Sequence, residues 1–132
     1  DLIRHVDVKS LRERVFFEGK QRNVSAWLAD SNLFCLPSKW EGFPNALAEA
    51  MAHGLPCVGF TECAGVRDLI IDGKTGALAK DGDLPDVLAS LMASADRRRD
   101  MGLASVEIIS KFSPENTFQK WDELLANLSG SK

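Results

Sequence analysis

The chain has 132 residues, 45% of them hydrophobic, and a formal net charge of −3. This length and composition are typical of one compact domain. Basic and acidic residues are interspersed, so no electrostatic footprint for nucleic acid is present, and no apolar run approaches the ~18 residues that a membrane span needs.

Short apolar runs alternate with helical patterns along the first part of the chain. This order favours βαβ units and a parallel sheet, because parallel strands need a crossover between them. Apolar runs without polar alternation suit strands that are covered on both faces. The predicted strands are 15–17, 33–36, 57–60 and 77–79, and the predicted helices between them are 24–30, 46–53 and 66–71.

The rest of the chain is predicted to be helical. Two helices are expected over 84–92 and 96–111, the second capped by Asp96, and a last helix starts at Ser113-Pro114-Glu115. Large apolar residues recur every three or four positions in the last helix, which predicts one apolar face. This stripe consists of Phe118, Trp121, Leu124, Leu125 and Leu128. We expect Trp121 to lie in the core or at a docking surface.

The most informative stretch is residues 40–50, where a strand exit and a Gly-Phe-Pro-Asn turn lead into a helix that opens at Asn45 or Ala46. A helix start presents unpaired N–H groups and a partial positive charge, which suit a phosphate or diphosphate. Glu41 lies before this helix start and Glu49 lies inside the helix. Carboxylates accept hydrogen bonds from vicinal hydroxyls. The stretch therefore predicts a ligand with hydroxyls at both ends of a diphosphate, as in a nucleotide-sugar.

Both glutamates also have an ordinary interpretation as surface acids. Two features weigh against it. Glu41 follows the carboxyl end of a predicted strand, where open α/β sheets bind their ligands. Glu49 is the isolated charge on an otherwise apolar helix, and we expect a charge on a buried helix to need a partner.

Residues 36–58 resemble the signature of the family 4 retaining glycosyltransferases, which have the GT-B fold and a Glu-x7-Glu motif at the spacing of Glu41 and Glu49. The likeness continues through residues 64–68, 72–78, 82–83 and the tail from 112 to 121. One ordered set of motifs thus fits in register over residues 15–125. The resemblance implies a partial Rossmann-like α/β domain with about four short parallel strands, flanking helices and a helical C-terminus.

The resemblance implies the donor-binding half of an enzyme that moves a sugar from a UDP- or GDP-sugar to a glycan or glycolipid, without a metal or other cofactor. By it, Glu41 acts in catalysis at the donor sugar and Glu49 binds the ribose hydroxyls. The other implied donor-binding residues are Ser38, Gly42, Phe43, Pro44, Asn45 and Ala46. The loop after Gly19 would lie near the nucleotide base, through Lys20, Asn23 and Val24.

The family pattern also contains elements that this sequence does not show. Its donor domain begins with two strands that carry a diphosphate-binding Arg and Lys and a Gly-x-Gly turn, and nothing before Val15 matches them. We therefore expect residues 1–132 to form a single donor domain that is incomplete at its N-terminus and inactive alone. The acceptor would bind to an N-terminal domain outside these residues.

In the sheet, the family's strand order would place the two unmatched strands between the predicted strands 15–17 and 33–36. We therefore expect either a rearranged first strand or self-association at an open sheet edge near 33–36. The cysteines, expected to be reduced, indicate a cytoplasmic protein, with peripheral contact to the inner face of the membrane as an option for the full-length protein.

Two other functions remain open at this point: a non-catalytic α/β binding or assembly module, and a nucleotide-sugar epimerase or hydrolase of the same architecture. Asp81-Gly82-Asp83 formally matches an Asp-x-Asp metal motif, but its place before a helix favours a turn and a cap. His53, followed by Gly54, is typical of a helix C-terminus rather than of a catalytic base. The three cysteines show no metal or redox spacing and are expected to be reduced.

Overall fold

The computed structural model describes residues 2–129. Its elements in chain order are α1 (Leu2–Val8), α2 (Val24–Ala29), β1 (Phe34–Leu36), α3 (Asn45–Ala52), β2 (Cys57–Phe60), α4 (Ala64–Leu69), β3 (Gly76–Ala79), α5 (Leu84–Met92), α6 (Ala95–Ile109), a 3-10 turn (Ser110–Phe112) and α7 (Pro114–Ser129). The predicted strands at 33–36, 57–60 and 77–79 are confirmed, with small shifts at their ends. The predicted helices at 24–30, 46–53 and 66–71 are also confirmed, with ends shifted by one or two residues.

The three strands form one parallel sheet in the order β1-β2-β3. All four residues of the central strand β2 are buried, which confirms that this strand is covered on both faces. On one face the core includes Leu47, Met51 and Leu69. On the other face it includes Val58 and Leu91. The sheet therefore lies between two helical layers, as the sequence predicts.

The predicted strand at 15–17 is wrong, so the sheet has three strands instead of about four. The N–H of Val15 donates to the carbonyl oxygen of Leu11 at 2.9 Å, which closes a helical turn. Phe16 and Phe17 remain 69% and 51% exposed. An apolar run becomes a strand only where a neighbour satisfies its backbone groups, and no described strand lies beside this one. In place of the predicted first strand, residues 15–19 form neither helix nor strand.

Strand β1 is an edge of the sheet, and no strand among residues 2–129 pairs with its free side. A bare edge offers unpaired N–H and C=O groups to another chain. Self-association at this edge stays a prediction. We expect sedimentation to show a concentration-dependent dimer or larger species. A monomer whose β1 amides are protected from hydrogen exchange would contradict it.

Two of the predicted helix caps need correction. Ser94 and not Asp96 caps α6, because its hydroxyl oxygen accepts a hydrogen bond from the N–H of Arg97 at 3.3 Å. Asp83 precedes α5 without a capping bond from its side chain. Gly82, with φ of +100°, confirms the turn, and Ser113 caps α7 through the N–H of Asn116 at 3.2 Å.

The apolar stripe of α7 forms as predicted but is not in the core. No residue of α7 is buried. The five side chains of the stripe are between 49% and 67% exposed. Helical periodicity indicates which residues share a face, but it does not show what covers that face.

The cysteines are free thiols, as expected for reduced residues. Cys57 and Cys63 are buried and Cys35 is half-buried. Burial raises the pKa of Cys57 to about 12, with a smaller contribution from Cys35. Because the thiolate is the reactive form, Cys57 is inert near neutral pH.

Candidate functional site

Helix α3 carries the second glutamate of the motif on an exposed face. Its opposite face, with Leu47 and Met51 at 0% exposure, lies in the core. Residues four apart share one side of a helix, so Asn45, Glu49 and His53 form a single exposed row. At 1.5 Å per residue this row is about 12 Å long.

The start of α3 leaves two backbone donors free. Pro44 occupies the N-cap position, where no side chain caps the helix. The N–H groups of Leu47 and Ala48 donate to the carbonyl oxygen of Pro44 at 3.0 and 3.1 Å. Within residues 2–129 the N–H groups of Asn45 and Ala46 have no such partner. Two free donors at an exposed helix start suit an anion.

Glu41 lies in the loop between β1 and α3 and is half-buried. Its carboxylate makes no hydrogen bond or ion pair with any described residue. Ser38, earlier in the same loop, is also half-buried, whereas Gly42 is exposed. The loop therefore brings a carboxylate that has no protein partner to the start of α3.

Gly65 at the start of α4 holds this loop in place. A Cβ atom at Gly65 would lie 2.1 Å from the carbonyl oxygen of Gly42 and 2.7 Å from that of Glu41. Both distances are far below van der Waals contact, so only glycine lets α4 lie against the loop. The sequence shows Gly65 within a matching motif but gives no sign of this role, because the contact joins two segments distant in the chain.

Glu49 differs from the sequence-based expectation in one respect. Glu49 is not a charge on a buried helix face, because its side of α3 is exposed, so the expectation that it needs a partner is wrong. Its carboxylate has no hydrogen-bond or ion-pair partner among residues 2–129. A solvated carboxylate carries no desolvation penalty, so Glu49 needs no partner for stability and is available to a ligand.

His53 ends α3, as predicted, and also connects α3 to α2. Its ring Nδ1 lies 2.8 Å from the carbonyl oxygen of Glu49, and its Nε2 lies 2.8 Å from the hydroxyl oxygen of Ser25. A carbonyl only accepts, so Nδ1 donates there and the neutral ring accepts from Ser25 at Nε2. The bond places the start of α2 beside the last turn of α3.

This arrangement also locates the residues predicted to lie near a nucleotide base. Asn23 caps α2, with its side-chain oxygen accepting from the N–H of Ala26 at 3.2 Å. Val24 is 45% exposed, and Lys20 is exposed in the preceding loop. Glu49 therefore lies between the start of α3 on one side and the start of α2 on the other.

Phe43 connects the motif loop to the C-terminal part of the chain. Its ring packs against Phe112, with ring centroids 5.6 Å apart and an interplanar angle of 50°, a favourable tilted geometry. Phe43 stays 48% exposed. Pro44, next to it, is buried, and Ala46 is exposed at the helix start.

Residues 2–129 contain no group of three His, Cys, Asp or Glu side chains arranged to hold a metal ion. None of the helices in this range is long and apolar enough to cross a membrane.

A parallel sheet between helical layers, with an exposed helix start after a strand end, defines an open parallel α/β domain. The family model of the glycosyl transferases group 1 matches residues 1–95. The chain belongs to this family, and its fold is that of the GT-B glycosyltransferases.

Three known proteins illustrate the similarity. N-acetyl-alpha-D-glucosaminyl L-malate synthase of Bacillus anthracis is 36% identical over 118 residues, 86% of this chain and 31% of that protein. A crystal structure of TarM from S. aureus, in complex with Fondaparinux, alpha-GlcNAc-glycerol and UDP, is 29% identical with a TM-score of 0.84, over 93% of this chain and 26% of that one. Anabaena HepE in complex with UDP, at 22% identity and a TM-score of 0.88, shares the fold over 96% of this chain and 36% of its own. The chain thus spans about a third of the length of such relatives.

Proposed function

We propose that this chain is the donor-binding half of a retaining glycosyltransferase that moves a sugar from a UDP- or GDP-sugar to a glycan or glycolipid. The observation that carries the proposal is the exposed row on α3. Two free N–H groups open the row, Glu49 follows one turn later, and the start of α2 lies beside its end. Along the row these groups follow the order of the diphosphate, the ribose and the base in a nucleoside diphosphate.

The spacing along α3 supports this assignment. Glu49 lies about 6 Å from the helix start and His53 about 12 Å from it, at 1.5 Å per residue. The diphosphate would accept from the N–H groups of Asn45 and Ala46, and Glu49 would accept from the ribose hydroxyls. The base would lie beside the start of α2, with Lys20, Asn23 and Val24 as its neighbours.

Glu41 is assigned to the donor sugar. When the bond between the anomeric carbon and the diphosphate breaks, positive charge develops on the sugar and negative charge on the leaving group. A carboxylate beside the sugar stabilises the first, and N–H groups at a helix start stabilise the second. Ser38, Gly42, Phe43 and Pro44 would form the surrounding wall. The proposal includes no metal and no other cofactor.

We assign the larger part of the acceptor site to residues outside this chain, because the chain spans 31% of the Bacillus anthracis relative. The isolated chain is expected to bind nucleotide without transferring sugar. Free cysteines support a reducing compartment, and we propose a cytoplasmic protein with peripheral contact to the inner face of the membrane. No observation favours a non-catalytic module, an epimerase or a hydrolase.

Ligand-observed NMR tests the donor site directly. We expect the folded chain, in the presence of EDTA, to bind one of UDP and GDP with a dissociation constant near 1 mM, about −4 kcal/mol. Glu49→Ala is expected to abolish this binding. Glu107→Ala, an exposed glutamate on α6, is the control and should bind as the wild type does.

Either of two results would contradict the proposed donor site. One is the failure of both nucleotides and of their common sugar conjugates to bind a chain that is folded by its amide spectrum. The other is binding that survives Glu49→Ala unchanged.

A further inference from the structure

A small cavity of about 180 Å³ opens where the chain leaves the carboxyl ends of the three strands. Its walls come from the last residue of β2 and from the segments that follow β1, β2 and β3. No residue of the row on α3 lines it. The lining residues are Lys39, Trp40, Phe60, Glu62 and Asp81.

Trp40 is the most conspicuous of these residues because its side chain is 90% exposed. Aromatic side chains usually bury 150–250 Å² each, so an indole left in water contributes little to this fold. Phe60, at 7% exposure, forms the buried part of the same cavity. The cavity therefore offers one buried and one open aromatic ring.

The polar part of the cavity has more negative than positive charge. Lys39 Nζ lies 2.7 Å from Asp81 Oδ2. Asp81, which bonds to this ammonium, raises the pKa of Lys39, and the charge of Glu62 raises it more weakly. Within residues 2–129 the Glu62 side chain has no hydrogen bond or ion pair of its own. One cation and two carboxylates disfavour a phosphate group and favour a neutral ligand that donates hydrogen bonds.

We propose that this cavity is a subsite for one neutral sugar ring of the acceptor. The indole of Trp40 stacks against the C–H face of the ring, and the carboxylates of Glu62 and Asp81 accept hydrogen bonds from its hydroxyls. This inference rests on the proposed sugar transfer.

Size and position both support a single acceptor ring. Cavities that hold drug-sized ligands measure about 300–1,000 Å³, so this cavity is too small for a nucleotide-sugar. Trp40 directly precedes Glu41, and consecutive Cα atoms lie about 3.8 Å apart. A sugar stacked on Trp40 is thus close to the carboxylate that we assign to the donor sugar.

Indole NMR tests the subsite through binding alone. The chain has three tryptophans, and Trp40→Phe identifies the signal of Trp40 in the intact protein. The methyl glycosides of glucose, galactose, mannose and N-acetylglucosamine are titrated one by one. We expect at least one of them to shift the Trp40 signal and UDP alone to leave it unmoved. Trp121, 58% exposed on α7, provides the control signal and should not shift.

Kinetics of the intact protein test the same subsite by activity. Trp40→Ala is expected to raise the KM for the acceptor at least tenfold and to leave the KM for the donor unchanged, whereas Trp40→Phe restores part of the loss. Trp121→Ala is the matched control and should transfer as the wild type does. A change in donor KM only, or no change at all, would overturn the subsite.

Two further outcomes separate this inference from the proposed function. If the wild type transfers sugar but no glycoside shifts Trp40, the subsite is wrong and the transferase stands. If a soluble paramagnetic agent fails to broaden Trp40 in the intact protein, another part of that protein covers the indole and the subsite is also wrong. Failure of the wild type to bind or use any nucleotide-sugar refutes the proposed function, and with it the acceptor role.

Discussion

Replacement of Glu41 by glutamine is expected to lower the turnover number of sugar transfer by about 10²–10³-fold, the usual loss when one group that stabilises transition-state charge is removed. The amide keeps the shape of the side chain and removes its negative charge. Because Glu41 has no hydrogen-bond or ion-pair partner among residues 2–129, the melting temperature should not change. Steady-state kinetics of the intact protein with UDP- and GDP-sugars measure the effect.

The matched control for this variant is Glu107→Gln, which makes the same chemical change at an exposed position on α6. It should leave the turnover number unchanged. If Glu41→Gln weakened donor binding alone and left the turnover number at the wild-type value, Glu41 would be a binding residue and not a catalytic one.

Gly65→Ala is expected to impair both stability and activity. The added Cβ would meet the carbonyl oxygens of Gly42 and Glu41 at 2.1 and 2.7 Å, so the loop or α4 must move. Overpacking of this kind costs about 1–3 kcal/mol, against at most ~1 kcal/mol gained from the better helix former. A shift of the loop by about 1 Å would also misplace Glu41 and cost on the order of 10² in rate.

Thermal unfolding and kinetics of the same preparation check this prediction. Gly42→Ala is the stability control, because a Cβ at Gly42 meets no atom within 4 Å and should leave the melting temperature unchanged. A Gly65→Ala protein with wild-type melting temperature and wild-type rate would show that the loop yields without cost, and that Gly65 does not position Glu41.

The strand predictions are correct for the apolar runs that lie in the sheet, between its two helical layers. Residues 57–60 form the central strand because neighbours on both sides satisfy its backbone. Residues 15–17 have the same apolar character, but they form neither strand nor helix, because no described strand lies beside them. The stripe of α7 illustrates the same limit, since its periodicity is correct and its burial is not.

For the candidate site, local spacing was informative and contacts between distant segments were not. Glu41, Glu49 and the helix start lie within one short stretch, so their proximity follows from turn and helix geometry. Two contacts depend on how helices pack: that of Gly65 with the loop between β1 and α3, and the bond between Ser25 and His53. Neither can be predicted from the local sequence. Trp40 is visible in the sequence, but its near-complete exposure is known only from the fold.

The bond between Ser25 and His53 has a mechanical consequence for the proposed site. One imidazole ring bonds at the same time to the carbonyl oxygen of Glu49 and to the hydroxyl oxygen of Ser25. Because the ring is planar and rigid, a single side chain sets the distance between these two oxygens. The last turn of α3 and the start of α2 are therefore held at one separation, and the proposed ribose and base positions move together.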